Sequence, residues 1–186
     1  MKKNILSAIL LTGGTMLLLV VVYPLIVWGF AQFSPNSGKG ELVRHNGKAY
    51  YVNIGQDFVS DKYFSSRPSA VDYNAAGSGA SNKAVTNPEY LAEVSQRIDE
   101  FMTKNPTVKK EDIPVDLVTA SGSGLDPNYS VQAAVVQVAR IAASRNLSES
   151  VITQLIHNQI ESPLLGIFGP EKVNVLRLNI ALDQIK

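Results

Sequence analysis

The chain has 186 residues, no cysteine, 17 basic and 16 acidic side chains, and a formal net charge of +1. Without cysteine there is no disulfide framework, no thiol catalysis and no cysteine-ligated metal. The near-neutral balance carries no basic stripe to neutralise a phosphate backbone, which argues against nucleic acid as a partner.

Lys2 and Lys3 precede a stretch, Asn4 to Ser37, that holds no charged side chain. A bilayer core is ~30 Å thick and needs ~20 apolar residues of helix to cross it. The run Ile5 to Phe33 is long enough to span with some tilt. A cleaved secretory signal ending at Gly29-Phe30-Ala31 is the rival reading, but signal cores run only ~7–15 residues. Lysines on the short N-terminal side favour a cytoplasmic N-terminus. The expected organisation is a single-pass anchor over residues 1–33, a Pro/Gly/Ser tether at 34–40 and one outer-face domain at 41–186. Pro24 removes a backbone donor and should bend the helix. Trp28, Phe30 and Phe33 cluster near the outer end like an interfacial aromatic belt. Ala8, Thr12 and Thr15 share one stripe with Gly13 and Gly14 beside them. Small residues and hydroxyls so placed let a partner helix approach closely, although a lone anchor in lipid also uses such residues.

His45-Asn46-Gly47 lies between two short β-prone runs, Glu41 to Arg44 and Lys48 to Val52, and predicts a hairpin with a type I′ turn. Ile54 to Thr86 is rich in Gly, Ser, Ala and Asn and has no steady period, so it reads as irregular. Asn87-Pro88-Glu89 starts a helix whose inward face is Leu91, Val94, Ile98 and Phe101, ended by Asn105-Pro106. Lys109 to Asp112 is a charged surface segment. Val115 to Val118 reads as extended and is broken by Ser121-Gly122-Ser123-Gly124. Ser130 caps a second helix with Ala134, Val135, Val138 and Ala142 inward, closing near Asn146. Ser148 caps a third with Val151, Ile152, Leu155, Ile156 and Ile160, stopped by Ser162-Pro163. Val173 to Leu176 reads as extended, and the pattern over 178–184 fits either strand or helix. The sum is an α+β domain with about three helices and a small sheet or hairpin.

The chemistry is sparse. The two histidines are too few for most metal sites and sit in different places, His45 in a hairpin turn and His157 on a helix. No G-x-S-x-G elbow accompanies them, and no phosphate-binding G-x-x-x-x-G-K-[ST] loop occurs. Two glycine-serine segments remain, Gly77 to Asn82 and Thr119 to Pro127. Glycines there permit tight turns or allow backbone amides to converge on an anion or a partner's carbonyls. This pattern suits an accessory subunit better than an enzyme.

Several segments carry a family resemblance. They are Ile54-Gly55-Gln56, Phe64 to Ala70 with Tyr73-Asn74, Ser78 to Asn82, Ile113 to Pro127, Ala133-Ala134 with Gln137, Arg140 to Ala142, and Val173 to Leu176 with Leu178-Asn179. With the N-terminal anchor, these pieces closely resemble the C subunits of bacterial Kdp potassium-transporting P-type ATPases over nearly the whole chain. Asn128 departs from the histidine usual in that family after Asp-Pro, and Tyr129-Ser130-Val131 from a more usual Ile-Ser-Pro.

The resemblance implies a non-catalytic subunit in a bacterial cell membrane. Its partners would be a channel-like potassium-binding subunit and a P-type subunit that hydrolyses ATP through an aspartyl phosphate. ATP and Mg²⁺ would belong to the hydrolysing subunit and K⁺ to the complex, with no cofactor on this chain. It also implies a catalytic-chaperone role that raises ATP affinity. Interface or loop-shaping candidates are Arg67, Asn82, Ser121, Gly122, Gly124, Asp126 and Gln137, with Arg67 alternatively an internal clamp. Helix-contact candidates are Ala8, Thr12, Gly13 and Thr15. Direct nucleotide binding by the glycine-serine loop and Gln137, or an exported hydrolase using a serine, are the competing readings. The expected topology opposes the first, because ATP lies on the cytoplasmic side.

Overall fold

A computed structural model describes residues 2–185, and the chain divides into two compact units, Met1–Val43 and Arg44–Lys186. The first unit is one long helix with an internal change of pitch. Helix α1 (Lys2–Met16) passes into a π-helical turn, Leu17–Val22, and then into α2 (Tyr23–Ala31). In the widened turn the Tyr23 amide donates to the Leu18 carbonyl, five residues back. Pro24 has no N–H, and in a regular α-turn its ring would strike the carbonyl four residues earlier; the widened turn relieves both problems. The break expected at Pro24 therefore lies just ahead of it. Lys3–Ala31, 29 residues, is long and apolar enough to cross a membrane. After it, Pro35–Gly38 turns tightly, with Asn36 and Ser37 in the left-handed conformation (φ 55° and 51°).

At the boundary of the two units, β1 (Leu42–His45) and β2 (Lys48–Tyr51) form the predicted hairpin, its turn set by Asn46 (φ 47°) and Gly47 (φ 76°). Residues 52–86 form no helix or strand, as expected from their composition. Helix α3 (Pro88–Lys104) starts where predicted, with the Asn87 side chain accepting from the Tyr90 amide at 3.1 Å. Only Phe101 of its proposed inward face is fully buried, and Leu91 is 53 % exposed.

A three-stranded antiparallel sheet has β5 (Lys172–Asn174) in the middle, flanked by β3 (Asn128–Tyr129) and β4 (Ile160–Glu161). Val173 faces both Tyr129 and Ile160 in register, which places it at the centre of the core. Helices α4 (Val131–Val135), α5 (Val138–Arg145), α6 (Glu149–Asn158) and α7 (Val175–Asp183) surround it. Ser130 and Ser148 cap α4 and α6 as read from the sequence. The α+β class holds.

Four local expectations change. Val115–Leu117 is a 3-10 turn, not extended: the Leu117 amide closes on the Pro114 carbonyl at 3.0 Å, burying Leu117 and Val118 while Val115 points outward. The single helix read after Ser130 is two. The Gln137 side chain donates to the Ala133 carbonyl at 2.8 Å, displacing the backbone bond that would continue α4, and the Gln137 amide turns to Ala134 at 3.1 Å. Val135 is turned out by the break, and Ala133 takes the core position. Helix α6 ends at Asn158, so Ile160 is a strand residue, and Val151 faces outward. The extended tail stops at Asn174, whose side chain accepts from the Arg177 amide at 3.0 Å and starts α7; Val175, Leu176 and the ambiguous 178–183 are helical.

Candidate functional site

The irregular segment 52–86 holds its shape because buried side chains in the core replace a strand partner. Asn179, 1 % exposed, accepts from the Phe64 amide at 2.8 Å and donates to the Phe64 carbonyl at 2.9 Å, much as a neighbouring strand would. Gln137 is fully buried and accepts from the Ser65 amide at 2.8 Å. Asn174 donates to the Val52 carbonyl at 2.9 Å. Arg140 ties the set together: its Nε donates to Asn105 at 3.0 Å, and its two terminal nitrogens to the Tyr63 carbonyl at 3.0 Å and Gln137 at 2.7 Å. Burial lowers the Arg140 pKa from its ordinary value, partly offset by the charge of Asp61.

Above this base, residues 54–80 are laced to the glycine-serine loop 119–127. The Gly55 amide donates to Leu125 at 2.7 Å, Ser69 Oγ to Gly124 at 2.6 Å, and the Gly79 amide and Ser78 Oγ to Ser123 at 2.9 and 3.0 Å. Gly124 lies at φ +67°, where a Cβ would stand 2.7 Å from the Gly79 carbonyl oxygen. Arg67 donates to Asp126 at 2.9 Å, and Asp126 also accepts from the Asn128 amide at 3.0 Å. Tyr73, whose pKa is pushed up to about 12 mainly by burial, donates to the Arg67 carbonyl.

Of the surface clefts that border the loop, two meet at Asp126. One of about 440 Å³ is bordered by Asn53, Ser78, Ser121, Gly122 and Ser123. The other, of about 410 Å³, is bordered by Arg67, Asp116, Asn128 and Lys172. Asp126 reaches both. Arg67, Ser121, Gly122, Gly124 and Asp126 thus lie together. Asn82 stands exposed at φ 52°, donating weakly to Ala80. Gln137 is part of the core beneath rather than of the loop surface. The Ser121 and Ser123 hydroxyls lie 3.3 Å apart as a mutual pair. In the first unit, Ala8, Thr12, Gly13 and Thr15 are all exposed, and a Cβ on Gly13 would meet nothing within 4 Å.

A third cluster closes the domain at Asp183. Its carboxylate accepts from Arg145 at 2.7 Å, His45 at 2.9 Å and Tyr63 at 3.0 Å. Burial alone would raise its pKa, but the bonds from Arg145, His45 and Tyr63 outweigh it and hold the carboxyl below its usual value. A lowered folded pKa contributes stability that is fully present above the unfolded value of ~4 and is lost as pH falls through the folded one. The wild-type chain is therefore expected to exceed Asp183→Asn in stability at pH 7, the gap closing below about pH 4. Urea midpoints of the detergent-solubilised proteins across a pH series check this; a gap independent of pH contradicts it. Among the described residues, no three His, Asp or Glu side chains converge as for a metal ion.

Sequence reasoning did not single out Asn105, Asn174, Asn179, Arg140 or Asp183 as functional positions. The readable signal was a lone amide in an apolar run, as with Gln137 in Val135-Val136-Gln137-Val138 and Asn179 between Leu178 and Ile180. Such an amide must be hydrogen-bonded if buried.

Residues 5–184 match the family model described as K⁺-transporting ATPase, c chain. A potassium-transporting ATPase KdpC subunit from Flavobacterium psychrophilum is 54 % identical over 185 residues, covering 99 % of this chain and 100 % of that protein. The like-named protein of Bacteroides fragilis is 47 % identical over 99 % of this chain and 98 % of its own length. That of Caldanaerobacter subterraneus is 44 % identical over 100 % of this chain and 98 % of its own. With matches running from the membrane-capable helix to the last turn of α7, the chain belongs to the KdpC family, the c chain of K⁺-transporting ATPases.

Proposed function

We propose that this chain is the accessory subunit that holds a channel-like potassium-binding subunit and a P-type ATP-hydrolysing subunit together in an ATP-driven potassium uptake pump. The observation that carries the reading is the family match over nearly the whole chain, with one membrane-capable helix among the described residues. The N-terminal lysines support a cytoplasmic start, with the second unit, from Arg44 onward, on the outer face of a bacterial cell membrane. The exposed small residues around Thr12 suit contact with a membrane-embedded partner.

In this reading the chain carries no catalytic centre. ATP and Mg²⁺ belong to the hydrolysing subunit, and potassium to the complex. A chaperone effect on ATP affinity then travels through the membrane interface, as a shift between states of the partner. Linkage makes it reciprocal: if the subunit tightens ATP binding by some factor, ATP tightens retention of the subunit by the same factor.

The test is purification from cells co-expressing the two large subunits, with potassium-stimulated ATPase activity assayed with and without this chain. Stable co-purification, loss of activity on omission, and tighter retention in the presence of ATP are expected. Normal potassium-stimulated hydrolysis by the other two subunits alone would remove the proposal.

A further inference from the structure

Residues 163–170, between β4 and β5, carry no charge. On this loop Leu164, Leu165, Ile167 and Phe168 are 70, 81, 75 and 60 % exposed. The loop is also built to one shape. Leu164 and Phe168 exchange backbone bonds at 3.1 and 3.0 Å, and the Gly166 amide closes on the Pro163 carbonyl at 2.9 Å.

Its tip shares a left-handed pair of residues with the β1–β2 turn, although the Leu164–Phe168 bridge encloses three residues where β1 and β2 are joined by two. Leu165 and Gly166 have φ 56° and 75°, against 47° and 76° for Asn46 and Gly47. Asparagine and glycine tolerate that left-handed pair, whereas leucine is strained there. Asparagine at position 165 would serve chain reversal with less strain than leucine. Leucine at the strained position gives up stability to project an apolar side chain, and residues kept in such a state point to function.

We infer that this loop is a rigid apolar plug that seats in an apolar socket on a partner subunit of the potassium pump. The inference rests on the accessory-subunit reading above and names a surface for it. Three observations favour a protein socket over lipid. The loop has a fixed turn and internally paired amides, which a fluid surface does not need and a shaped pocket rewards. Its stems carry Glu161 and Glu171, and the nearby cation, Lys172, faces Glu161 at 3.5 Å. A finger made for a bilayer surface instead brings Lys or Arg with Trp or Tyr, none of which occurs in 163–170.

The test uses the three subunits co-expressed and purified in detergent. Leu165→Asn suits the turn better, so the isolated variant should melt at the wild-type temperature or above it. Its retention in the complex through washing is nevertheless expected to fall about tenfold or more, as for loss of an interface anchor. Phe168→Ser should lower retention similarly. Because the chain has no cysteine, a benzophenone attached at Leu165→Cys labels one position, and its adduct is expected on another pump subunit.

Full retention of Leu165→Asn beside a retained wild type overturns the plug and leaves the accessory reading standing. Adducts only to lipid or to a second copy of this chain overturn the plug as well. If the wild-type chain itself fails to co-purify, both readings fall together.

Discussion

Replacing Arg140 by alanine is expected to lower the melting temperature of the solubilised chain by at least about 10 °C, corresponding to roughly 3–5 kcal/mol. The guanidinium donates to Asn105, Gln137 and the Tyr63 carbonyl, and Asn105 and Gln137 are only 3 % and 0 % exposed. Removing it leaves their oxygens with fewer donors in a place water reaches poorly, and an orphaned buried acceptor costs more than the bond it lost. Tyr63 also donates to Asp183 and adjoins Phe64, so the loss should loosen residues 61–66 together. Amide exchange at Phe64 and Ser65 should accelerate well before global unfolding. Lysine is expected to recover less than half of the loss, because a point charge cannot reproduce a planar fork that serves three directions. If Arg140→Ala melts within 2–3 °C of wild type, the arginine does not organise this segment.

The second large effect is expected at Gly124. Alanine there meets two obstacles: φ is +67°, and its Cβ would lie 2.7 Å from the Gly79 carbonyl oxygen and 2.9 Å from Val71 Cγ2. The nearest obstacle is backbone, held by the Gly79 amide's bond to Ser123, so it cannot move aside cheaply. Strain and overpacking together are expected to cost about 3 kcal/mol, roughly 10 °C in melting temperature. Gly122→Ala supplies the control from the same loop. It has no left-handed φ, and a Cβ there meets nothing within 4 Å, so stability should hold within about 0.5 kcal/mol. Similar melting temperatures for the two variants would show that the lacing between 70–80 and 119–127 does not hold the domain together.

The elements that could be read from sequence were those whose causes are local. Asn46-Gly47 supplies the two left-handed residues of the hairpin, Asn87-Pro88 the start of α3, and Ser130 and Ser148 the caps of α4 and α6. The membrane-capable helix was equally plain, because length and absence of charge are one-dimensional properties. The elements that differed depend on distant partners. Val115 to Val118 reads as strand by propensity, yet it turns once, and Asp116 then accepts from the Ser130 amide at 2.6 Å. The apolar period after Ser130 runs unbroken in sequence, but the Gln137 amide takes a carbonyl from the helix and serves Ser65, 72 positions earlier. Leu91 and Val151 fit their helical stripes, but they remain 53 and 41 % exposed.

The candidate loop divides in the same way. Its glycines and serines, with Arg67 and Asp126, were recognisable as a family signature, and the fold brings them together around two clefts. That Arg67 pairs with Asp126, or that Gln137 lies in the core, depends on side chains 59 and 72 positions apart meeting. The apolar plug shows the same limit. The sequence shows Leu-Leu-Gly-Ile-Phe only as an uncharged run, and the fold exposes it around a strained left-handed leucine.

By itself, then, the sequence determined the membrane-capable helix, the absence of cysteine chemistry, the helix starts, the hairpin and the family, since each follows from neighbours along the chain or from composition. Only the tertiary structure decided how residues 52–86 hold a shape without secondary structure. Their backbone groups are paired by Asn174, Asn179, Gln137 and Arg140, and pairing across such separations is set by the packing of the core around Val173.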